Sequence, residues 1–202
     1  MTKRKSSRDR REELLKATLD LAFDVGPDHV TTGMVAQHLG LSQPAIYKHF
    51  PKKEDIWQAA AETLCVQIRR NIQGEDRPDA LPTDTLRRLI LGHLHIVSVT
   101  PTLPEIMTTR DPTGTLAHAR DAIQADIIRF RAALMRAFEA GQTTGLLSRS
   151  LSAADGVTLL FGIIQSLVLR LIVSRNPVLL VDDGARLLDL QIELMSCQGA
   201  TK

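Results

Sequence analysis

The chain has little of what builds a secreted, metal-centred or catalytic protein. Its 202 residues include only two cysteines, Cys65 and Cys197. Neither lies in a CxxC or Cys/His cluster, so no metal site and no disulfide framework is expected, and both are read as reduced, buried thiols. The basic N-terminus is not followed by an apolar run that could serve as a signal peptide, which points to the cytoplasm. No GxSxG, HExxH, Walker loop, GxGxxG after a strand or ExxH pair occurs, so the chain is not read as an enzyme and no cofactor is expected. There is no internal repeat, no low-complexity segment and no sustained strand periodicity. An all-α fold follows.

A charge-free apolar run of eighteen residues is also missing. The longest candidate, near 153–174, contains Gln165 and Arg170, so burial within protein is expected and no membrane is called for. Hydrophobic residues make up 44 % of the chain, ample for a core. The net charge of +2 is unevenly spread: residues 1–53 hold ten Lys/Arg against six Asp/Glu, and the remainder fifteen against seventeen. The basic surplus therefore sits at one end, as contact with phosphates would require.

That end has a recognisable pattern. Residues 1–7 are polar and basic, with Lys3, Arg4 and Lys5 in a row, and read as a flexible arm able to lie along DNA or in solvent. From Arg8 to Val25, Leu14, Ala17, Thr18, Leu21, Ala22 and Val25 form one helical stripe, which Gly26-Pro27 stops. Thr31 and Thr32 can then cap a helix carrying Met34, Val35 and Leu39, and Gly40 can end it in the left-handed conformation. Ser42 can cap a second helix, from about Gln43 to Phe50, held from within by Ala45, Ile46 and Phe50. Its other face presents Gln43, Tyr47, Lys48 and His49, side chains able to reach base edges and phosphates. A further helix opens at Pro51-Lys52-Lys53-Glu54-Asp55 and runs to about Ile72, with Trp57 in its core and Lys53 at its start as a phosphate contact.

The stretch TTxxVAxxLGLSQPxIYxHFxxKxxI resembles the TetR family of bacterial transcriptional regulators. The resemblance covers about the first sixty residues. It implies a helix-turn-helix DNA-binding head over 1–53, with 1–7 as the arm, and a helical ligand-binding and dimerisation body over 54–202. It also implies that Thr31, Thr32, Gln43, Pro44, Tyr47, Lys48, His49 and Lys53 meet DNA, Pro44 through a thymine methyl. Gly33 stands where the resemblance implies a basic, base-contacting side chain, and removes that contact.

Beyond the head, Gly74 to Pro82 reads as a loop, and a helix from about Thr83 to Val99 places His93 on its apolar face and His95 opposite. Pro101, Pro104 and Pro112 bound a short helix near Leu103 to Thr109, in the position of a movable wall. A long amphipathic run from about Thr115 to Ala140 follows, with Arg120, Asp126, Arg129 and Arg136 as its solvated or salt-bridged face and Gly141 and Gly145 as its end. Ser152 to Asp155 matches a capping box, and Asp182 or Asp183 can cap the last helix.

The last two long helices are apolar on more than one side. Thr158, Gly162 and Ser166 form a small-residue strip, and with Leu188, Ile192 and Met195 they are candidates for a two-fold dimer seam. His93 and Gln165 are polar groups on apolar faces; with Met107 and Arg110 they are candidates for an effector pocket. The reading is a homodimeric regulator, a repressor of a pseudo-palindromic operator released by a small, largely apolar ligand. An all-α enzyme, or a helical interaction module with an idle helix-turn-helix, for which Gly33 is the main support, are the alternatives.

Overall fold

Ser6 opens the first helix by reciprocal bonding: its hydroxyl accepts from the Asp9 backbone N–H at 3.1 Å, and the Asp9 carboxylate accepts from the Ser6 N–H at 3.2 Å. Both orphan donors of the helix start are thereby met. Ser6 and Ser7, grouped by composition with the arm, instead cap and begin this helix. The computed structural model describes residues 6–74, 79–111, 113–178 and 180–196. The arm residues Lys3, Arg4 and Lys5, the proline at 112, part of the loop after Gly74 and Cys197 lie outside that range.

The described residues form α1 (Ser7–Val25), α2 (Thr32–His38), α3 (Gln43–Tyr47), α4 (Lys53–Gln73), α5 (Pro82–Val99), α6 (Leu103–Thr108), α7 (Ala117–Thr143), α8 (Ala153–Ser174) and α9 (Leu180–Met195). No strand occurs among them; Leu147 and Ser196 make one isolated bridge. The fold is all-α, a helix-turn-helix head with a larger helical body.

The chain packs as two units. The first comprises the described part of Met1–Cys65 with Thr100–Gln124, and the second Val66–Val99 with the described part of Ala125–Lys202. In the first, α2 packs on α1 and on α3. Its core contains Leu14, Ile46, Phe50, Trp57 and Leu64, with Cys65 also buried. Leu103, Ile106 and Leu116 add to that core from α6 and the approach to α7. The hydroxyl of Thr102, just before α6, does not cap it but donates to the Leu19 carbonyl of α1 at 2.7 Å. Arg120 of α7 holds the other end of α6 through the carbonyls of Ile106, at 2.6 Å, and Thr109. A cation at a helix C-terminus meets both its unpaired carbonyls and its negative dipole end.

In the second unit, α5, α8 and α9 pack on one another. Phe130, Phe138, Leu160 and Leu188 are among the side chains fully enclosed there. Glycines at 156 and 184 permit close packing, since a Cβ would stand 2.2 Å from Phe138 Cζ and 2.2 Å from Leu94 Cδ1, respectively.

Several local expectations need correction. Asp126 is not part of a solvated face: it is buried, and Arg69 of α4 donates to its Oδ2 at 2.7 Å while Arg129 donates to Oδ1. Helix α7 does not stop at Gly141, where the missing side chain makes room for Leu147; the left-handed residue is Gly145, with φ 76°. Helix α9 begins at Leu180, so Asp182 and Asp183 lie inside its first turn, and Asp183 pairs with Arg170 of α8. At the start of α8 the Ser152 hydroxyl accepts from the Asp155 N–H at 3.1 Å, but it also donates to the Asp155 carboxylate at 2.6 Å.

Candidate nucleic-acid interface

The turn between α2 and α3 fixes what α3 can present. Thr31 caps α2 by accepting from the Met34 N–H at 3.2 Å, and Gly40 takes the left-handed conformation with φ 65°. Ser42 occupies the N-cap position of α3 but makes no side-chain capping bond. The short helix is therefore held by burial of Ile46, not by its cap. Gln43, Pro44 and Tyr47 are exposed on it, Lys48 is exposed at its C-cap, and His49 is half-buried just after it. Helix α3 ends at Tyr47, short of Phe50, because residues 48 and 49 close in a turn.

Thr32 is placed differently from the other candidates. It is 9 % exposed, and its hydroxyl lies 3.2 Å from the Tyr47 hydroxyl. It braces Tyr47 and offers no free surface of its own. Lys53 begins α4, half-buried, where the Lys52 N–H donates to Asp55 Oδ2 at 2.8 Å. Sequence reasoning passed over Arg11, whose guanidinium lies 4.1 Å from the Phe50 ring centroid and donates to the His49 carbonyl at 2.9 Å. That residue ties α1 to the segment just after α3. No spacing rule marks it, since on α1 it is one arginine among several. A groove of about 620 Å³ beside it sets Arg8 and Arg11 against Glu12, Asp55 and Glu62, so it carries no basic surplus.

The remaining candidates fall in different surroundings. His93 of α5 is buried, stacked on Phe130 with ring centroids 4.7 Å apart, and its Nδ1 has no partner among the described residues. Burial lowers its pKa from 6.5 to about 4, so the imidazole is neutral at physiological pH. Gln165, expected to be buried, is exposed on the outward side of α8. Met107 is half-buried and Arg110 exposed at and beyond the end of α6, both in the first unit. Thr158 and Ser166 are exposed and Gly162 half-buried, on the same outward side as Gln165. Leu188 and Met195 are instead 0 % and 4 % exposed, spent on the core of their own unit, with Ile192 half-buried. The outward apolar residues of α9 are Leu190 and Leu194. Helix α8 is long and apolar enough to cross a membrane by length and composition, with 39 % of its most apolar stretch buried. Among the described residues no group of three or more His, Cys, Asp or Glu is placed to hold a metal.

Residues 14–60 match the model of bacterial regulatory proteins, tetR family. This is the segment that builds α2, α3 and their support. The head is that of the TetR family. Over 109 residues it is 32 % identical to the nucleoid occlusion factor SlmA of Edwardsiella ictaluri (strain 93-146), covering 52 % of this chain and 54 % of that protein. The chain thus spans about half the length of the curated relatives it matches. The likeness of fold extends further. A putative transcriptional regulator from Saccharomonospora viridis, solved in complex with choline, superposes with a TM-score of 0.74 at 21 % identity, over 95 % of this chain and 100 % of that one. A putative TetR-family regulator from Rhodococcus sp. gives 0.73 at 20 % identity, over 93 % and 98 %. At such identities the likeness is one of fold.

Proposed function

We propose that this chain is a cytoplasmic TetR-family transcriptional regulator that reads a pseudo-palindromic operator as a two-fold dimer. The observation that carries the reading is the exposed row Gln43, Pro44 and Tyr47 on a short helix held by α2, with Lys48 at its C-cap. Gln43 is suited to the N6 and N7 edge of an adenine, and Pro44 to a thymine methyl. Tyr47 faces bases or their flanking phosphates, Lys48, His49 and Lys53 hold the backbone and set register, and Thr31 flanks them. No enzymatic role is proposed.

Dimerisation is supported by apolar surface that the protomer leaves open: Leu159, Leu169 and Val173 on α8, and Leu190 and Leu194 on α9. Gly162, with no atom of its own chain within 4 Å of a built Cβ, leaves space there for a partner helix. Burying this face would serve helices that are apolar on two sides.

The body is proposed to bind a small, largely apolar effector. His93 supports this, because a buried polar atom without a partner costs about 1–3 kcal/mol that a ligand hydrogen bond would recover. Met107 and Arg110 stay as proposed effector contacts at and beyond the end of α6, within the first unit; Gln165, exposed on α8, no longer belongs with them. Since Thr102 bonds α6 to the Leu19 carbonyl, an effector that displaces α6 would carry α1 with it. Such a ligand shifts the dimer away from its DNA-competent state by no more than its differential affinity for the two states.

The test is retardation of the DNA upstream of the protein's own gene across a salt series. Salt-sensitive binding is expected, and Lys53→Ala should weaken all sequences alike while reducing the salt slope by about one. Absence of salt-sensitive binding to any DNA would reject the regulator reading. Operator binding that no body-bound compound alters would reject induction alone.

A further inference from the structure

The first turn of α2 touches both side chains with which α3 is proposed to read bases. A Cβ built on Gly33 would stand 2.9 Å from Nε2 of Gln43 and 3.8 Å from its Cδ. The Gln43 amide therefore lies over the bare backbone of Gly33, in space that any other residue would occupy. One residue earlier, the Thr32 hydroxyl is 3.2 Å from that of Tyr47. Thr32 is nearly enclosed whereas Tyr47 is 46 % exposed, so the fixed partner is on α2 and the presented one on α3.

We propose that Gly33 and Thr32 are specificity-positioning residues, which set the directions of Gln43 and Tyr47 and so help decide which bases the chain prefers. This rests on the reading of α3 as the DNA-reading helix. Its physical basis is the angular demand of direct readout. A glutamine discriminates adenine only when its amide plane meets the N6 and N7 edge with both hydrogen bonds aligned, so a displaced amide loses discrimination before it loses contact. Gly33 is then more than a missing contact. Its lack of a side chain leaves the Gln43 amide free to rest against α2, where a larger residue would drive it outward. The tyrosine is held by a different device, a hydroxyl pair that limits the swing of the phenol ring; Thr32→Val keeps the shape and removes that bond.

The experiment is selection from a randomised operator library with full-length wild-type, Gly33→Ala, Gln43→Ala and the double variant, followed by affinity measurement on single-site operator variants. Alanine is a better helix former than glycine, so the single methyl does not endanger α2. Thermal unfolding of each variant verifies this. The expected result is that Gly33→Ala alters preference by about tenfold at the base pair that Gln43→Ala alters, and adds nothing there in the double variant. A purely structural role would lower affinity for every sequence equally. Thr32→Val and Tyr47→Phe should likewise change preference at a shared position. If Gly33→Ala keeps the wild-type preference, or its effect adds independently to that of Gln43→Ala, the positioning role is overturned while α3 remains the reader. If Gln43→Ala and Tyr47→Phe change no base preference either, the reading of α3 itself fails, and this inference with it.

Discussion

The His93 imidazole stacks on the Phe130 ring at 4.7 Å between centroids, with planes inclined by 24°, deep in the second unit. Burial alone pushes its pKa from 6.5 down to about 4. The unfolded chain takes up a proton near pH 6.5 and the folded chain only near pH 4, so between those values the unfolded state binds more protons. Stability from this source is complete above the unfolded pKa and falls as pH drops toward the folded one. The loss amounts to about 3 kcal/mol over the window. Urea unfolding from about pH 7 to about pH 4.5 should show it, and His93→Leu should have a shallower pH dependence than wild type. Parallel profiles for the two proteins would show that His93 is charged in the fold.

Asp126 is another buried polar group, and its circumstances differ. Its carboxylate is 1 % exposed and receives Arg69 and Arg129, whose side chains are 35 % and 62 % exposed. Removing the carboxylate leaves two arginines without their shared acceptor, and Arg69 is the less solvated of them. Asp126→Ala should cost about 3 kcal/mol, while Arg129→Ala, at the solvent end of the network, should cost less than about 1 kcal/mol. Denaturant midpoints of the two variants give the comparison, and equal losses would contradict this division.

The same two residues show what was legible in the sequence. Helix periodicity placed His93 on a buried face, since it falls on the apolar stripe of α5 with Leu86, Leu89, Ile90, Leu94 and Val97. It could not bury Asp126, because a charged residue between Ala125 and Ile127 on a long amphipathic helix has the pattern of a surface position, and only Arg69, 57 residues away, changes that. Motif chemistry served the head better than the body. Thr31, Gly40 and Ile46 act through local geometry that a few neighbouring residues specify. Gln165, Leu188 and Met195 were misplaced for one reason: α8 and α9 are apolar on two sides, and a pattern with two apolar faces does not say which one the protomer keeps for itself. Thr32 resembled a surface cap by type, yet its hydroxyl is directed to Tyr47 from the adjoining helix, a pairing that depends on how α2 and α3 cross.

Two glycines of α8 separate the inner face from the outer one. At Gly156 a Cβ would meet the Phe138 ring at 2.2 to 2.8 Å, and that ring is fully enclosed and has nowhere to go. Gly156→Ala should therefore overpack the protomer core and cost about 1–3 kcal/mol in unfolding, at any protein concentration. At Gly162 a Cβ would meet nothing of its own chain within 4 Å, so the first atom that Gly162→Leu adds disturbs no protomer contact. If the outward face of α8 is the dimer seam, the added side chain clashes with the partner, and the penalty of about 1–3 kcal/mol falls on association. Sedimentation through a dilution series should then show Gly162→Leu dissociating at roughly ten- to a hundredfold higher concentration than wild type, a ratio that corresponds to this penalty. Its helical signal should be retained. Helix content of the isolated protomer lost in Gly162→Leu would place a contact of the chain's own core at that position. Dissociation unchanged from wild type would move the seam away from the Thr158, Gly162 and Ser166 strip.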